Sequence, residues 1–194
     1  ARGAGPDPGA GRRPGRRGRG SQAVLRLTAA AFCIVLNMAG AYLALLFRLP
    51  VYLDSLGTVL AGALMGPWYG LAAGLGSGIL TGITSDIYAL YFAPVGMITG
   101  VMSGLLHRAG LMKGWKMAAG VVLLTLPGTL VSSCISAFLF GGVTSSGSSL
   151  LVQILHHMGW NLTASVFAVQ ILTDLADRLI SAVFAAAGMS CLGI

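Results

Sequence analysis

Carboxylates inside apolar sequence are the residues of this chain best suited to do chemistry. Asp174, Asp177 and Arg178 stand together in the run TDLADRLISAVFAA, and Asp54 lies just inside the run RLPVYLDSLGTVLAGALMGPWYG. Ionisable side chains inside a membrane protein are costly, and they usually face a cavity or one another. Asp174 and Arg178 are four positions apart and could pair along one helix, which would leave Asp177 in need of a partner.

Known intramembrane active sites fit these residues poorly. The runs GLGSG and GVMSG each misplace one residue of the G-x-S-G motif of an intramembrane serine protease. The aspartates lie near helix ends rather than paired at mid-membrane, and DLAD is too short a series for a phosphatidyltransferase. His156 and His157 are adjacent, so they point about 100° apart on a helix, and no third metal ligand is evident. The sequence therefore predicts no enzyme, no metal site and no cofactor.

A binding site is better supported, because polar and aromatic residues gather at one expected end of the helices. The candidate binding residues are Tyr52, Asp54, Ser55, Asp86, Tyr88, Tyr91, Trp160, Asn161, Asp174, Asp177 and Arg178. Some have structural alternatives: Asp54, Ser55 and Asp86 could cap helices, and the aromatic residues could anchor at a membrane interface. As a set they predict a polar pocket with aromatic walls that opens to the outside.

The composition is that of a multi-pass protein of the cell membrane. Hydrophobic residues make up 56% of the 194 residues and charged residues 9%, whereas soluble domains carry about 25% charged residues. The three cysteines stand singly, with neither a disulfide framework nor metal-ligand spacing. Much of the net charge of +7 comes from the Arg/Gly/Pro-rich residues 1–21. That stretch predicts a disordered cytosolic tail and not a nucleic-acid partner.

Residues 22–194 are expected to form one all-α membrane domain, a compact bundle of six transmembrane helices. The expected spans are 23–47, 53–66, 68–84, 88–106, 117–140 and 169–192. Gly159 offers a break, so residues 150–166 are expected as an extramembrane or re-entrant helical segment. This division places Asp174, Asp177 and Arg178 in the first turns of the last helix.

The cations orient this expected bundle. Arg26, Arg108, Lys113 and Lys116 fall on the same side as the Arg-rich tail, and Arg48 alone borders the other side. Because positive residues are retained in the cytosol, both termini are expected there. The expected pocket then lies at the outer face.

Two expected helices carry glycine at every fourth position. Gly70, Gly74, Gly78 and Gly82 recur in the third span, and Gly96, Gly100 and Gly104 in the fourth. Each ladder presents a flat stripe along which another helix backbone can approach closely. Helix packing inside the bundle is the favoured interpretation, and a substrate path is the alternative.

The run LPVYLDSLGTVLAGALMGPWYGLAAG resembles the second-span region of the substrate-binding (S) components of energy-coupling factor (ECF) transporters, and TDLADRLISAVFAA resembles the start of their last span. The resemblance covers residues 22–192. It implies a protein that captures a vitamin or related nutrient from outside and docks on a membrane coupling subunit served by two cytosolic ATPases. Such proteins typically dock through an A-x-x-x-A patch on the first helix, for which Ala29 and Cys33 are the nearest small pair.

The expected function is therefore the high-affinity binding step in uptake of a small vitamin or vitamin precursor, in the lipid bilayer. The alternatives are the membrane sensor part of a signalling system and an intramembrane enzyme. The acidic groups favour a cationic or hydrogen-bond-donating ligand, whereas Arg178 could equally meet a carboxylate or phosphate.

Overall fold

Helices form nearly all of the chain that can be described. A computed structural model describes residues 16–191, and this part contains eight α-helices and no strand. In chain order they are α1 (Arg16–Leu46), α2 (Leu56–Met65), α3 (Pro67–Thr84), α4 (Ile87–Tyr91), α5 (Ala93–Arg108), α6 (Met117–Cys134), α7 (Ser148–His157) and α8 (Leu162–Cys191). A 3₁₀ turn, Gly114–Lys116, leads into α6, and a π-helical turn, Ile135–Leu139, continues it. The predicted all-α class is confirmed for the described residues.

Two helices are long and apolar enough to cross a membrane by length and composition. They cover Gly20–Leu46 and Gly114–Leu139. By comparison, α5 has 16 residues, and α8 carries Asp174, Asp177 and Arg178 in its middle. Since α1 begins at Arg16, residues 16–21 of the expected tail are helical. Residues 1–15 lie outside the described part of the chain, and their disorder stays a prediction.

The helix of the second expected span is short, and the fourth expected span is divided into two helices. α2 is short and ends at Gly66, whose φ of +98° lies in the region that favours glycine, and Pro67 then begins α3. The expected fourth span is divided at Phe92 into α4 and α5. Asp86 caps α4, because its Oδ1 accepts the backbone N–H of Tyr88 at 3.1 Å. The capping alternative for Asp86 is confirmed.

The last helix is longer than expected. The break at Gly159 is confirmed, with a φ of +95°, and α7 ends two residues before it. α8 then runs without interruption for 30 residues, about 45 Å, because no glycine or proline interrupts residues 162–187. The expected start of the sixth span at residue 169 is therefore wrong. Asp174, Asp177 and Arg178 lie in the middle of α8 and not in its first turns.

The glycine ladders pack α3 against α5. A Cβ atom built on Gly70 would overlap the carbonyl oxygen of Gly100, and one on Gly74 would overlap that of Gly96. Backbones this close leave no room for a side chain. The packing interpretation of the ladders is confirmed for these pairs.

Buried side chains from six helices form the main apolar core, among them Cys33, Val59, Ala73, Leu106, Leu124 and Ala182.

We predict that Gly100→Ala destabilises the protein and that Gly128→Ala does not. A Cβ on Gly100 would overlap the backbone of Gly70, which cannot give way without separating α3 from α5. A cost of about 1–3 kcal/mol is typical of such overpacking. A Cβ on the helical Gly128 meets its nearest atoms at 3.6 Å, so alanine there should be neutral or slightly stabilising. Thermal unfolding in detergent compares the two, and equal midpoints would contradict the close contact.

Candidate functional site

A cavity of about 80 Å³ lies between the helices, under the segment that joins α1 to α2. Part of its wall is apolar and comes mainly from α1, α4 and α5; the residues are Ala41, Pro50, Ala89, Phe92, Ala93 and Val95. Another part is charged and comes from α8 and the α1–α2 segment; the residues are Asp54, Asp174, Asp177 and Arg178. A concave site with a few convergent polar groups on an apolar wall is the usual form of a small-molecule site.

The charged part of the wall is centred on an ion pair within α8. Arg178 Nη1 donates to Asp177 Oδ2, and the two side chains are only 6% and 4% exposed. The same carboxylate oxygen accepts a hydrogen bond from Ser55 Oγ, which also lies 2.7 Å from Ser181 Oγ. The expected pairing of Asp174 with Arg178 is not the ion pair that forms, because the long arginine side chain folds onto its neighbour instead. Asp177 Oδ1 is buried and has no hydrogen-bond partner among the described residues.

Asp174 is held by α6. Its Oδ2 accepts hydrogen bonds from Thr129 Oγ1 at 2.8 Å and from Ser132 Oγ at 3.0 Å. Both donors are neutral hydroxyl groups, so the carboxylate is solvated by protein dipoles without a direct cationic partner. The charge of Asp174 therefore remains available to whatever enters the cavity.

Asp54 and Ser55 precede α2 but do not cap it through their side chains. Ser55 occupies the N-cap position without a side-chain capping bond, since its hydroxyl donates to Asp177. Asp54 is half-buried, lines the cavity and receives no hydrogen bond from another side chain of residues 16–191. The structure thus places Asp54, Ser55, Asp174, Asp177 and Arg178 around one cavity; their part in binding stays a prediction.

Tyr52 belongs to the same wall, and Asp86 supports it from behind. Tyr52 lines the cavity, and its hydroxyl donates to Asp86 Oδ2 at 2.5 Å. Ser145 Oγ donates to the same carboxylate oxygen and contacts the tyrosine hydroxyl. Asp86 itself does not line the cavity. Its role in the structure is to fix the α1–α2 segment to the loop before α7.

Four candidate residues lie away from the cavity. Tyr88 and Tyr91 pack edge-on against Phe140, with ring centroids 4.8 and 5.3 Å apart. Trp160 is 52% exposed in the turn between α7 and α8. Asn161 Oδ1 accepts the N–H of Thr163 at 2.9 Å and so begins α8. None of the four lines this cavity, because Tyr88 and Tyr91 pack elsewhere, Asn161 caps α8 and Trp160 faces outward. Their part in binding stays a prediction.

Asn37 also lines the cavity, although it is not among the binding residues predicted from the sequence. It is fully buried, donates to Thr58 Oγ1 at 2.7 Å and Ser77 Oγ at 3.1 Å, and accepts the backbone N–H groups of Gly57 and Thr58. This one amide joins α1, α2 and α3. The signal was present in the run AFCIVLNMAG, where an asparagine stands alone among apolar residues.

The cavity is covered by a segment of unusual backbone. Arg48 and Leu53 have positive φ angles of 49° and 52° without being glycine, a conformation that persists only where surrounding contacts hold it. Gly40 leaves room for the carbonyl oxygen of Leu53, since a Cβ there would overlap that oxygen. Gly147 donates its N–H to the carbonyl oxygen of Leu49 at 3.2 Å. The α1–α2 segment is therefore held by α1 on one side and by the loop before α7 on the other.

The predicted docking pair is only partly at the surface. Ala29 is half-buried, and Cys33 is 2% exposed, with its backbone against Gly57. Docking through this pair stays a prediction. Cys33 has no exposed side chain that could take part in the contact. As for metals, residues 16–191 contain no group of three or more His, Cys, Asp or Glu side chains arranged to hold an ion.

Comparison of the chain with models of protein families, with curated proteins and with solved structures finds no match.

We predict that Arg178→Ala destabilises the protein by about 3–5 kcal/mol, because it leaves the buried carboxylate of Asp177 without its cation. The double variant Asp177→Asn, Arg178→Gln removes both charges and should lose less stability than Arg178→Ala alone. Chemical unfolding in detergent measures both. If the double variant loses as much stability as Arg178→Ala or more, the two charges are not coupled. Arg178→Ala is consequently a stability variant, and it is not a clean test of binding.

Proposed function

We propose that this chain is the substrate-binding S component of an ECF transporter, with six membrane spans and both termini in the cytosol. It would capture a small vitamin or vitamin precursor at the outer face and pass it inward with a coupling subunit and two ATPases. The observation that carries the proposal is the cavity, which sets three carboxylates and one guanidinium inside a bundle with an apolar surface. The family is proposed because the sequences around α2 and α8 resemble those of S components.

The outer surface of the bundle supports placement in lipid. Large hydrophobic side chains face outward along α1 and α6 in particular; among them are Val24, Leu25, Leu27, Phe32, Val35, Leu123 and Leu130. Such an extent of exposed apolar surface is unfavourable in water and is what lipid tails solvate. The charges of α8 do not oppose this placement, because Asp177 and Arg178 are buried inside the bundle.

The position of the cavity along the helices supports the proposed orientation. Asn37 and Ala41 lie in the last third of α1, Ala93 begins α5, and Ser132 lies in the last turn of α6. The end of the bundle that these positions share is away from Arg26, Arg108, Lys113 and Lys116. By the positive-inside rule the cavity then lies toward the outer face, as uptake requires.

We predict that Ala109→Cys and Val143→Cys are labelled from opposite sides of the membrane. Both residues are exposed, and in the six-span arrangement Ala109 lies in the cytosol and Val143 outside. The background is Cys134→Ser, Cys191→Ser, since both native cysteines are exposed, whereas Cys33 is buried. An impermeant maleimide applied to intact cells should modify the Val143→Cys variant only, and modification of both variants from one side would rule out the arrangement.

We predict that the wild-type chain co-purifies from its native membranes with one membrane coupling subunit and two ATPases. Ala31 and Ala39 are among the small residues that α1 exposes on its outer surface, where close helix approach is feasible. Ala31→Trp or Ala39→Trp should abolish co-purification, whereas Ala119→Trp on the exposed surface of α6 should not. A chain that purifies without ATPases in mild detergent would contradict the transporter and favour the sensor alternative.

A further inference from the structure

We propose that the ligand of this cavity is a small organic cation with a compact apolar part, bound with its positive group at Asp54 and Asp174. The inference rests on the proposed function to the extent that the cavity is a binding site. It names the chemical class of the ligand, which the sequence leaves open between cation and anion.

The charges around the cavity do not balance. Among the described residues that line it, three carboxylates stand against one guanidinium. The structure commits that guanidinium to Asp177. Asp174 has only neutral hydroxyl donors, and Asp54 has no side-chain donor within the described chain. An entering cation would meet two carboxylates that form no salt bridge within the described chain, whereas an entering anion would meet three negative groups in a low-dielectric setting.

A second observation points to a missing partner at the same place. Asp177 lines the cavity, its side chain is only 4% exposed, and its Oδ1 accepts no hydrogen bond from the described residues. A buried carboxylate oxygen is rarely left unsatisfied. A ligand with several N–H donors on its cationic group would satisfy this atom together with Asp54 or Asp174.

The apolar part of the cavity wall limits the size and the chemistry of the rest of the ligand. Ala41, Ala93, Val95 and the ring of Phe92 form an apolar wall that offers no charge. A cavity of about 80 Å³ is about half the volume, roughly 150 Å³, of a cavity that holds a benzene ring. The apolar part of the ligand is therefore limited to a few carbon atoms. The remaining N–H groups of Arg178 can take a neutral acceptor on such a ligand.

Three molecules of nearly equal shape test the charge. Acetamidine is a cation, acetamide is neutral and acetate is an anion, and all three join a planar head to one methyl group. We expect the full chain in detergent to bind acetamidine at least about tenfold more tightly than acetamide, and acetate more weakly still, as charge-assisted hydrogen bonds are about twice as strong as neutral ones. Calorimetry or ligand-observed NMR measures the three dissociation constants.

Charge-removing variants locate the preference. Asp174→Asn keeps an acceptor for Thr129 and Ser132, and Asp54→Asn breaks no hydrogen bond to another side chain of the described residues, so both variants should fold. Each should reduce the ratio of acetamide to acetamidine dissociation constants several-fold. Lys116→Gln, which removes a charge from the other end of the bundle, should leave the ratio unchanged.

Three results would overturn the inference: tightest binding of acetate, equal binding of all three, or binding of none. These outcomes are separate from those of co-purification. If the chain prefers acetamidine but has no ATPase partner, the cationic ligand stands and the transporter is ruled out. If the chain co-purifies with ATPases but prefers acetate, the transporter stands and the cationic ligand is ruled out.

Discussion

The buried contact between Asp177, Arg178 and Ser55 governs how α8 and α2 meet. A charge in the middle of a helix that lies among apolar neighbours must be neutralised or solvated by protein groups, and here the cation is the next residue along the chain. Since Ser55 donates to the same carboxylate oxygen, the start of α2 is fixed to the middle of α8. The α1–α2 segment, with Asp54 and Tyr52, is thereby brought over the cavity. Asp54 owes its place at the cavity to this contact, whereas Asp174 is held separately by α6.

Close backbone packing makes the site possible on its other side. α3 and α5 approach so closely at Gly70, Gly74, Gly96 and Gly100 that their side chains are excluded from the contact. Gly74 and Gly96 also line the cavity. The stripe of glycine thus has two consequences, since it holds two helices together and leaves space beside them. A larger residue at these positions would fill the cavity or part the helices.

The sequence was sufficient wherever a local pattern determines the outcome. The short α2 with its end at Gly66 and Pro67, the break at Gly159 and the packing of the glycine ladders all follow from backbone conformations that few residues adopt. The sequence also grouped Asp54 with the α8 charges, although it did so by a span count that put those charges in the first turns of the last helix and not in its middle. The partner of Arg178 was not predictable, since the choice between Asp174 and Asp177 depends on a side-chain rotamer. Tyr88 and Tyr91 were misplaced because the rotation of α4 about its axis depends on Phe140, far along the chain.

Asp54 and Asp86 show why a capping motif alone cannot identify a binding residue. Each aspartate comes shortly before a helix in apolar sequence, and the same physical alternative, an N-cap, applies to both. Asp86 caps its helix and also accepts hydrogen bonds from Tyr52 and Ser145, so its carboxylate is satisfied by the fold. At Asp54 the neighbouring serine is drawn to Asp177, the carboxylate turns to the cavity, and no side chain in the described residues donates to it. A carboxylate at a cavity wall that no other side chain of the described residues contacts keeps most of its acceptor capacity for another partner. The proposed binding role of Asp54 therefore rests on the acceptor capacity that the fold leaves free there, and not on the position of the residue before a helix.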